Sequence, residues 1–238
     1  MNSTTLSPSN QIIEAYQRDG FWIAHDLLSA KECQELKTEA LRVLRENAKP
    51  NVTVYVGVAA ASPLYYRLAS DPRVVEVLAK IMPDGVMFMS DKFVFKSGSQ
   101  KFATPWHIDA FYWKNTRPKL SVWIALDDVS AGNGTLKVVR GSHKRSWEGK
   151  IETDPAKSNH EFGNVIAQNQ WKAGDEVVCE VRKGGAVFFS DRLVHGSCAN
   201  QAGLDRYTLI STYHAPAEDE EFDQHFPARH VIIPRPQK

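Results

Sequence analysis

The chain of 238 residues has few cysteines and no long apolar run. Its three cysteines, Cys33, Cys179 and Cys198, are an odd number without paired spacing, which argues against a disulfide framework and indicates a reducing compartment. The sequence also lacks a run of 18 apolar residues, and its first residues lack the basic and apolar segments of a signal peptide. We therefore expect a cytoplasmic protein that does not enter a membrane.

An excess of charge of either sign is also missing. Lys and Arg together number 29 and Asp and Glu together number 28, so the formal net charge is +1. Because no basic block stands out, nothing favours nucleic acid or an anionic membrane as a partner. We expect a small-molecule ligand instead, and no pattern in the sequence indicates an oligomeric state.

What the chain does have is enough apolar residues, 42% of the total, to bury a large core. All-β folds of this length commonly form one domain, so we expect a single domain over residues 1–238. Residues 1–85 carry the helix signals and are predicted to be a mainly helical support. Helices are predicted over 8–18, from the capping box of Ser29 and Glu32 to about residue 48, and after Asp71-Pro72.

From residue 86 the pattern changes to short strands joined by connections rich in glycine and polar residues. This order predicts a mainly β fold with flanking helices, whose core over 86–215 is a double-stranded β-helix, the jelly roll of cupins. The segment 147–171 is poor in strand signals and is interpreted as an active-site lid or a surface excursion. The predicted strands are 86–96, 120–126, 135–139, 176–181, 186–189 and 207–213.

Three side chains form a candidate metal site. On a strand, His107 and Asp109 would point to the same side, because side chains alternate with period two. Alone, such a pair is more simply a core-edge histidine beside a solvated aspartate. However, His195 follows another apolar strand and is flanked by small residues that allow close approach. Two histidines and one carboxylate with open positions form the facial triad of non-haem Fe(II) oxygenases.

Arg206 begins a later predicted strand, where its charge would be costly to bury without an anion. Its planar fork suits a carboxylate held by two hydrogen bonds. With these motifs in order, the chain resembles the phytanoyl-CoA dioxygenase-like family of Fe(II)- and 2-oxoglutarate-dependent oxygenases. The resemblance rests on Trp106-His107-x-Asp109, Trp123 to Asp128, Asn133-Gly134-x-Leu136, Gly141-Ser142-His143, the block from Gly184-Gly185 to His195-Gly196-Ser197, and Arg206.

This resemblance implies an enzyme that binds iron(II) through His107, Asp109 and His195 and uses 2-oxoglutarate and O2. It implies that the remote carboxylate of 2-oxoglutarate is bound by Arg206, with help from Ser197, from Trp123, and from Lys92 or Lys96. The implied outcome is hydroxylation of a small-molecule metabolite, with release of succinate and CO2. Halogenating relatives replace the carboxylate ligand with a small residue, so Asp109 favours hydroxylation, whereas desaturation, ring formation and epimerisation stay open.

Two aromatic residues that follow the ligands are candidate substrate contacts. If the strand continued, Phe111 and Trp113 would share a face with the metal ligands and Tyr112 would point away. Packing inside the barrel is the alternative interpretation of both. Two other functions also remain open, namely a catalytically inactive jelly-roll binding protein and a cupin-like metalloenzyme that does not use 2-oxoglutarate.

Overall fold

The structure is a computed structural model that describes residues 8–47, 52–99, 101–113, 116–147, 151–153, 164–216 and 225–236. Helices dominate before residue 82, as predicted, and strands dominate after it. The N-terminal elements are α1 (Pro8–Asp19), β1 (Phe21–Ala24), α2 (Ala30–Asn47), β2 (Val54–Val56), α3 (Val58–Ala61), α4 (Pro63–Leu68) and α5 (Pro72–Ile81). Among the described residues, no helix combines the length and apolar character needed to cross a membrane.

The helix starts follow from local capping. The predicted capping box of α2 is confirmed, because the Glu32 N–H donates to Ser29 Oγ at 3.2 Å and the Ser29 N–H donates to Glu32 Oε2 at 2.7 Å. At α5, the Asp71 carboxylate accepts the Arg73 N–H, and Pro72 occupies the first turn. The two short helices α3 and α4 were not predicted, since four and six residues are too few to show a helical period.

The larger sheet carries one wall of the core. Its strands are antiparallel in the order β1-β10-β5-β12-β3-β13, with β2 also paired to β3. The helices cover one face, where Leu36 and Leu78 pack with Phe88 and Val122 of the sheet. The strands introduced here are β3 (Val86–Lys96), β5 (Lys119–Ala125), β10 (Ala186–Ser190), β12 (Arg206–His214) and β13 (His230–Ile233).

The smaller sheet faces the other side of the larger one. It contains β4 (Thr104–His107), β6 (Leu136–Val139), β9 (Glu176–Val178) and β11 (His195–Ser197) in the order β4-β11-β6-β9. Trp123 and Val187 of the larger sheet pack with Leu136 and Val138 of the smaller one. Two antiparallel sheets face to face, with helices outside, form the predicted jelly roll.

The segment 147–171, in which the sequence shows few strand signals, contains two short strands. Its described residues include a hairpin of β7 (Ile151–Thr153) and β8 (Asn164–Ile166), paired antiparallel. Strands of three residues are too short to show alternation, which explains why they were not predicted. Residues 148–150 and 154–163, which make up most of the predicted lid, lie outside the described residues.

The prediction that His107 and Asp109 lie on one strand is wrong. β4 ends at His107, and Asp109 begins a 3-10 turn, Asp109–Phe111. The turn is stabilised from another part of the chain, because the Ala110 N–H donates to the Asp191 carbonyl at 2.9 Å. Strand alternation therefore does not continue through Phe111 and Trp113. The prediction that these two residues share a strand face with the metal ligands has lost its basis.

Candidate metal centre and active site

The two sheet-borne histidines meet because their strands are neighbours. In the antiparallel pair β4–β11, His195 lies directly opposite His107, and their ring centroids are 4.2 Å apart. The small residue after His195 is needed for this pairing. A Cβ on Gly196 would lie 2.7 Å from the Thr104 carbonyl oxygen. The small residues beside His195 were predicted to allow close approach, and the group that approaches them is the backbone of β4.

Asp109 completes a compact cluster of three candidate ligands. Its Oδ1 lies 3.6 Å from His107 Nε2 and 3.8 Å from His195 Nε2. One ligand atom from each residue lies within 4.8 Å of the others, and all three residues are buried. The 3-10 turn thus places the Asp109 carboxylate beside the two histidines, where the prediction of a single strand had also placed it.

The hydrogen bonds of the two rings point their other nitrogens at this cluster. His107 Nδ1 lies 2.8 Å from the Pro105 carbonyl oxygen, and His195 Nδ1 lies 2.9 Å from the Leu193 carbonyl oxygen. A carbonyl can only accept, so each Nδ1 carries the hydrogen and each Nε2 presents its lone pair. Metal-binding histidines are oriented in this way, and two Nε2 atoms with one carboxylate fit iron(II).

The charge states also suit a metal. Burial would raise the pKa of the Asp109 carboxyl, but the electrostatic influence of His195, of His107 and of the Lys92 charge together holds this pKa below its usual range. Burial, reinforced by His107, lowers the pKa of His195 to about 4. A carboxylate beside a neutral imidazole is the protonation state that metal binding requires.

Arg206 lies at the far end of the same cavity and is almost completely buried, at 1% exposure. Its Nη1 donates to Thr208 Oγ1 at 2.9 Å and its Nη2 donates to the Gly134 carbonyl. Its Nε is buried with no hydrogen-bond partner among the described residues. Burial lowers the pKa of this guanidinium to about 10, which is still a cation at neutral pH. A buried cation with an unused donor fits an anion.

Lys96, Ser197 and Trp123 surround this arginine. Lys96 lies opposite Arg206 in the β3–β12 pair, and its Nζ donates to Ser197 Oγ and to the Cys198 carbonyl, both at 2.7 Å. Burial, with a smaller contribution from Arg206, lowers the pKa of Lys96 to about 7. The Arg206 guanidinium carbon lies 5.3 Å from the centre of the Trp123 ring. This group fits the bidentate carboxylate site that the sequence indicated.

The cavity between Arg206 and the triad has a volume of about 90 Å³. Gly134, at φ +90°, packs against Lys96, since a Cβ there would lie 2.8 Å from Lys96 Cδ. Lys92 also lines this cavity, but it lies four residues from Lys96 on β3, about 13 Å along the strand. The sequence did not decide between the two lysines as neighbours of the cosubstrate. In the structure they lie at different positions, with Lys96 beside Arg206 and Lys92 nearer to Asp109.

A second cavity of about 290 Å³ adjoins the first and shares Val54, Lys92 and Asp109 with it. Trp113 lines this second cavity, whereas Phe111 packs against the apolar cluster around Trp106. Tyr112, Met89 and Thr212 also line it but were not singled out from the sequence. Tyr112 was assigned to the opposite face because alternation was extended through a segment that forms a turn.

Asp191 is a further residue whose role the sequence did not indicate. Its carbonyl accepts the Ala110 N–H of the ligand-bearing turn, and its carboxylate accepts the Lys119 N–H at 3.0 Å. It thereby joins the turn that carries Asp109 to the start of β5. In the sequence, its position four residues before His195 could have indicated a role near the metal site.

The comparisons with known proteins identify the family of the chain. The family model for phytanoyl-CoA dioxygenase (PhyH) matches residues 16–207. The chain is 26% identical to the ectoine dioxygenase of Bordetella parapertussis over 94% of this chain and 80% of that protein. It is also 26% identical to the peroxisomal phytanoyl-CoA dioxygenase of Homo sapiens, over 87% of this chain and 68% of that protein.

A solved structure shows the same fold. The epimerase SnoN, in complex with Fe3+, alpha ketoglutarate and nogalamycin RO, superposes with a TM-score of 0.72 at 21% identity over 92% of this chain and 90% of that one. Because the family match spans most of the chain and the triad is intact, the enzyme class follows. The chain belongs to the phytanoyl-CoA dioxygenase (PhyH) family and is a non-haem dioxygenase that uses iron(II), 2-oxoglutarate and O2.

Proposed function

We propose that this enzyme hydroxylates a small-molecule metabolite, with conversion of 2-oxoglutarate into succinate and CO2. The observation that carries the proposal is the arrangement in one cavity of three buried metal ligands at one end and a buried arginine with an unused donor at the other. A ligand that bridges these ends needs a chelating group for the metal and a remote carboxylate for the guanidinium. 2-Oxoglutarate has both.

The roles of the residues follow from their positions. His107, Asp109 and His195 would hold the iron(II) through Nε2, a carboxylate oxygen and Nε2. When bound with 2-oxoglutarate and O2, the iron supplies the oxidation that converts a substrate C–H into C–OH.

At the other end, Arg206 binds the remote carboxylate of 2-oxoglutarate, and Lys96 and Ser197 add donors beside it. Trp123 forms one wall, where its ring faces the guanidinium. Because both cations are buried, water does not compete for them, and the carboxylate is held in a fixed direction towards the metal.

The carboxylate of Asp109 favours hydroxylation among the possible outcomes. Halide binding would need a free position on the iron, and in this chain the Asp109 carboxylate is available to take that position. Desaturation, ring formation and epimerisation would use the same ligands, so the product must be identified by mass. A gain of one oxygen atom supports hydroxylation, and loss of two hydrogens contradicts it.

A small metabolite is favoured over a CoA ester as the primary substrate. The relatives include an ectoine dioxygenase and a phytanoyl-CoA dioxygenase, which differ greatly in the size of what their names say they act on. The adjoining cavity of about 290 Å³ fits a compact molecule. No basic cluster for a nucleotide tail stands out in the sequence.

The test is succinate formation from 2-oxoglutarate by the purified protein, with candidate metabolites, with and without added iron(II). We expect iron-dependent succinate that rises with one or more metabolites and disappears with a chelator. A cupin-like enzyme without 2-oxoglutarate would oxidise a substrate but form no succinate. An inactive binding protein would form none under any condition, and either result would reject the proposal.

A further inference from the structure

The ammonium group of Lys92 lies where the two cavities of the site meet. Lys92 is on the face of β3 that carries Lys96, and it pairs with Ile210 of β12. It lines both the cavity that ends at Arg206 and the larger one that contains Trp113. Asp109 lines both cavities as well. Lys92 is thus a cation close to the metal, on the side away from the arginine.

No described residue neutralises this cation. The structure contains no hydrogen bond from the Lys92 ammonium to a described residue and no carboxylate oxygen of the described residues within 4.0 Å of it. Its sequence neighbour Asp91 also lines the larger cavity, but both of its carboxylate oxygens lie 3.1 Å from the Ala59 N–H and neither lies within 4.0 Å of the Lys92 ammonium. A partly buried lysine without a partner is costly unless a ligand supplies the negative charge.

The charges expected in the loaded site point in the same direction. The two charges of iron(II) and the two of 2-oxoglutarate cancel. Asp109 then provides one negative charge against the positive charges of Lys92 and Arg206, before any contribution from Lys96. Asp127 lies close enough to Arg206 to raise its pKa, but it is already paired with Lys37 at 2.6 Å. Of these cations, Lys92 is the one next to the larger cavity, and no carboxylate oxygen of the described residues lies within 4.0 Å of its ammonium.

The larger cavity shows what kind of molecule would carry the matching charge. Its walls are mainly apolar, with Val56, Met89, Trp113 and Phe226, and Thr212 adds a hydroxyl. A single ammonium balances a single negative charge, as a carboxylate provides, and not the two charges of a phosphate monoester. The volume of about 290 Å³ suits a compact carbon skeleton.

We propose that Lys92 is a specificity-determining residue that binds the carboxylate of the primary substrate, so that the substrate class is small carboxylic acids with an apolar skeleton. This inference rests on the proposed function, because it assigns a substrate to that same site. Lys92 anchors the carboxylate at the edge of the cavity, and the carbon skeleton extends past Trp113 with a C–H directed at the metal.

The test compares carboxylic acids with their amides, which have the same shape without the charge. The probes are benzoate, cyclohexanecarboxylate, hexanoate and N-acetyl-L-proline, each paired with its amide. Binding is measured by calorimetry to protein loaded with zinc(II) and 2-oxoglutarate, so no turnover occurs. The variants are K92M, which keeps the length of the side chain, K92R, which keeps the charge, and K31M, a control at an exposed lysine on α2 that forms an ion pair with Glu35.

We expect at least one acid to bind roughly tenfold or more tightly than its amide, in line with a charge-assisted hydrogen bond. K92M should abolish this preference without changing the affinity for 2-oxoglutarate, whereas K92R and K31M should keep it. The proposal is wrong if no acid binds more tightly than its amide, or if K92M keeps the preference. It is also wrong if K92M weakens 2-oxoglutarate binding instead, since Lys92 would then belong to the cosubstrate site.

Failure of this inference can be told apart from failure of the proposed function. The binding preference is measured on zinc-loaded protein and does not depend on oxidation. Iron-dependent succinate formation without a Lys92-dependent preference would leave the proposed function intact and remove only the substrate assignment. The opposite result would support Lys92 as a carboxylate site and reject the oxygenase reaction.

Discussion

The two ends of the active site are built differently, although β3 and β12 contribute to both. At the Arg206 end, the cations are buried and already hold protein partners, as Lys96 does with Ser197. At the Lys92 end, the cavity is larger and the ammonium has no hydrogen bond to a described residue and no carboxylate oxygen of one within 4.0 Å. This difference is what we expect if the first end binds the cosubstrate in a preorganised site and the second binds the primary substrate, as we propose.

The largest effect is expected from the metal ligands that both ends share. H195A and D109A should each remove iron-dependent succinate formation, because two ligands cannot hold the ion in the required geometry. Metal content, measured by mass spectrometry of the purified protein after iron loading, should fall in parallel. H143A is the matched control, since His143 contacts Gln17 and lies away from the cluster. Full activity of H195A or D109A would contradict the triad.

The next largest effect separates the two ends. R206M should weaken 2-oxoglutarate binding by roughly 100-fold, about 2.7 kcal/mol, because one partner of a buried charged pair is lost. R206K should recover only part of this affinity, since an ammonium lacks the planar fork. Iron binding should stay unchanged in both variants. An unchanged affinity for 2-oxoglutarate in R206M would place the cosubstrate elsewhere.

The pH dependence of 2-oxoglutarate binding should come from the Arg206 end. The pKa of Lys96 is lowered to about 7 by burial and by Arg206, with a small contribution from Lys137 and a small opposing one from Cys198. An anion bound beside Lys96 raises this pKa, so binding takes up a proton above pH 7. The affinity should be flat below about pH 7 and fall above it, by up to about tenfold per unit.

Calorimetry in buffers with different ionisation enthalpies measures this proton uptake directly. At pH 8 the uptake should approach one proton in the native enzyme, if the pKa of the bound form is well above 8, and should vanish in K96M. Proton release, or an uptake that persists in K96M, would show that another group titrates.

The smallest effect is expected at the wall of the larger cavity. W113A should raise the KM for the primary substrate about three- to tenfold, because an aromatic contact contributes on the order of 1 kcal/mol, and should leave iron binding intact. F111A is the matched control, since Phe111 packs with the cluster around Trp106. An unchanged KM in W113A would exclude Trp113 from the substrate wall, and an equal increase in F111A would indicate a packing defect.

The sequence predicted the cosubstrate end better than the substrate end, for physical reasons. His195 and Arg206 lie on or beside regular strands, whose register follows from alternation, so their positions could be predicted. Asp109 follows β4 in a turn that depends on a hydrogen bond from Ala110 to Asp191, a contact between distant residues that no local pattern reveals. For the same reason, Trp113 lines the larger cavity although the strand that was predicted to place it there does not continue, and Tyr112, which was predicted to point away, lines that cavity too.

The most direct test of the central claim is a crystal structure of the enzyme grown without oxygen with iron(II) and 2-oxoglutarate, with anomalous data at the iron edge. We expect one iron peak among His107 Nε2, the Asp109 carboxylate and His195 Nε2. The remote carboxylate of 2-oxoglutarate should lie on the Arg206 guanidinium, and Lys92 should remain free of it. Iron at another site, or a cosubstrate that does not contact Arg206, would contradict the assignment.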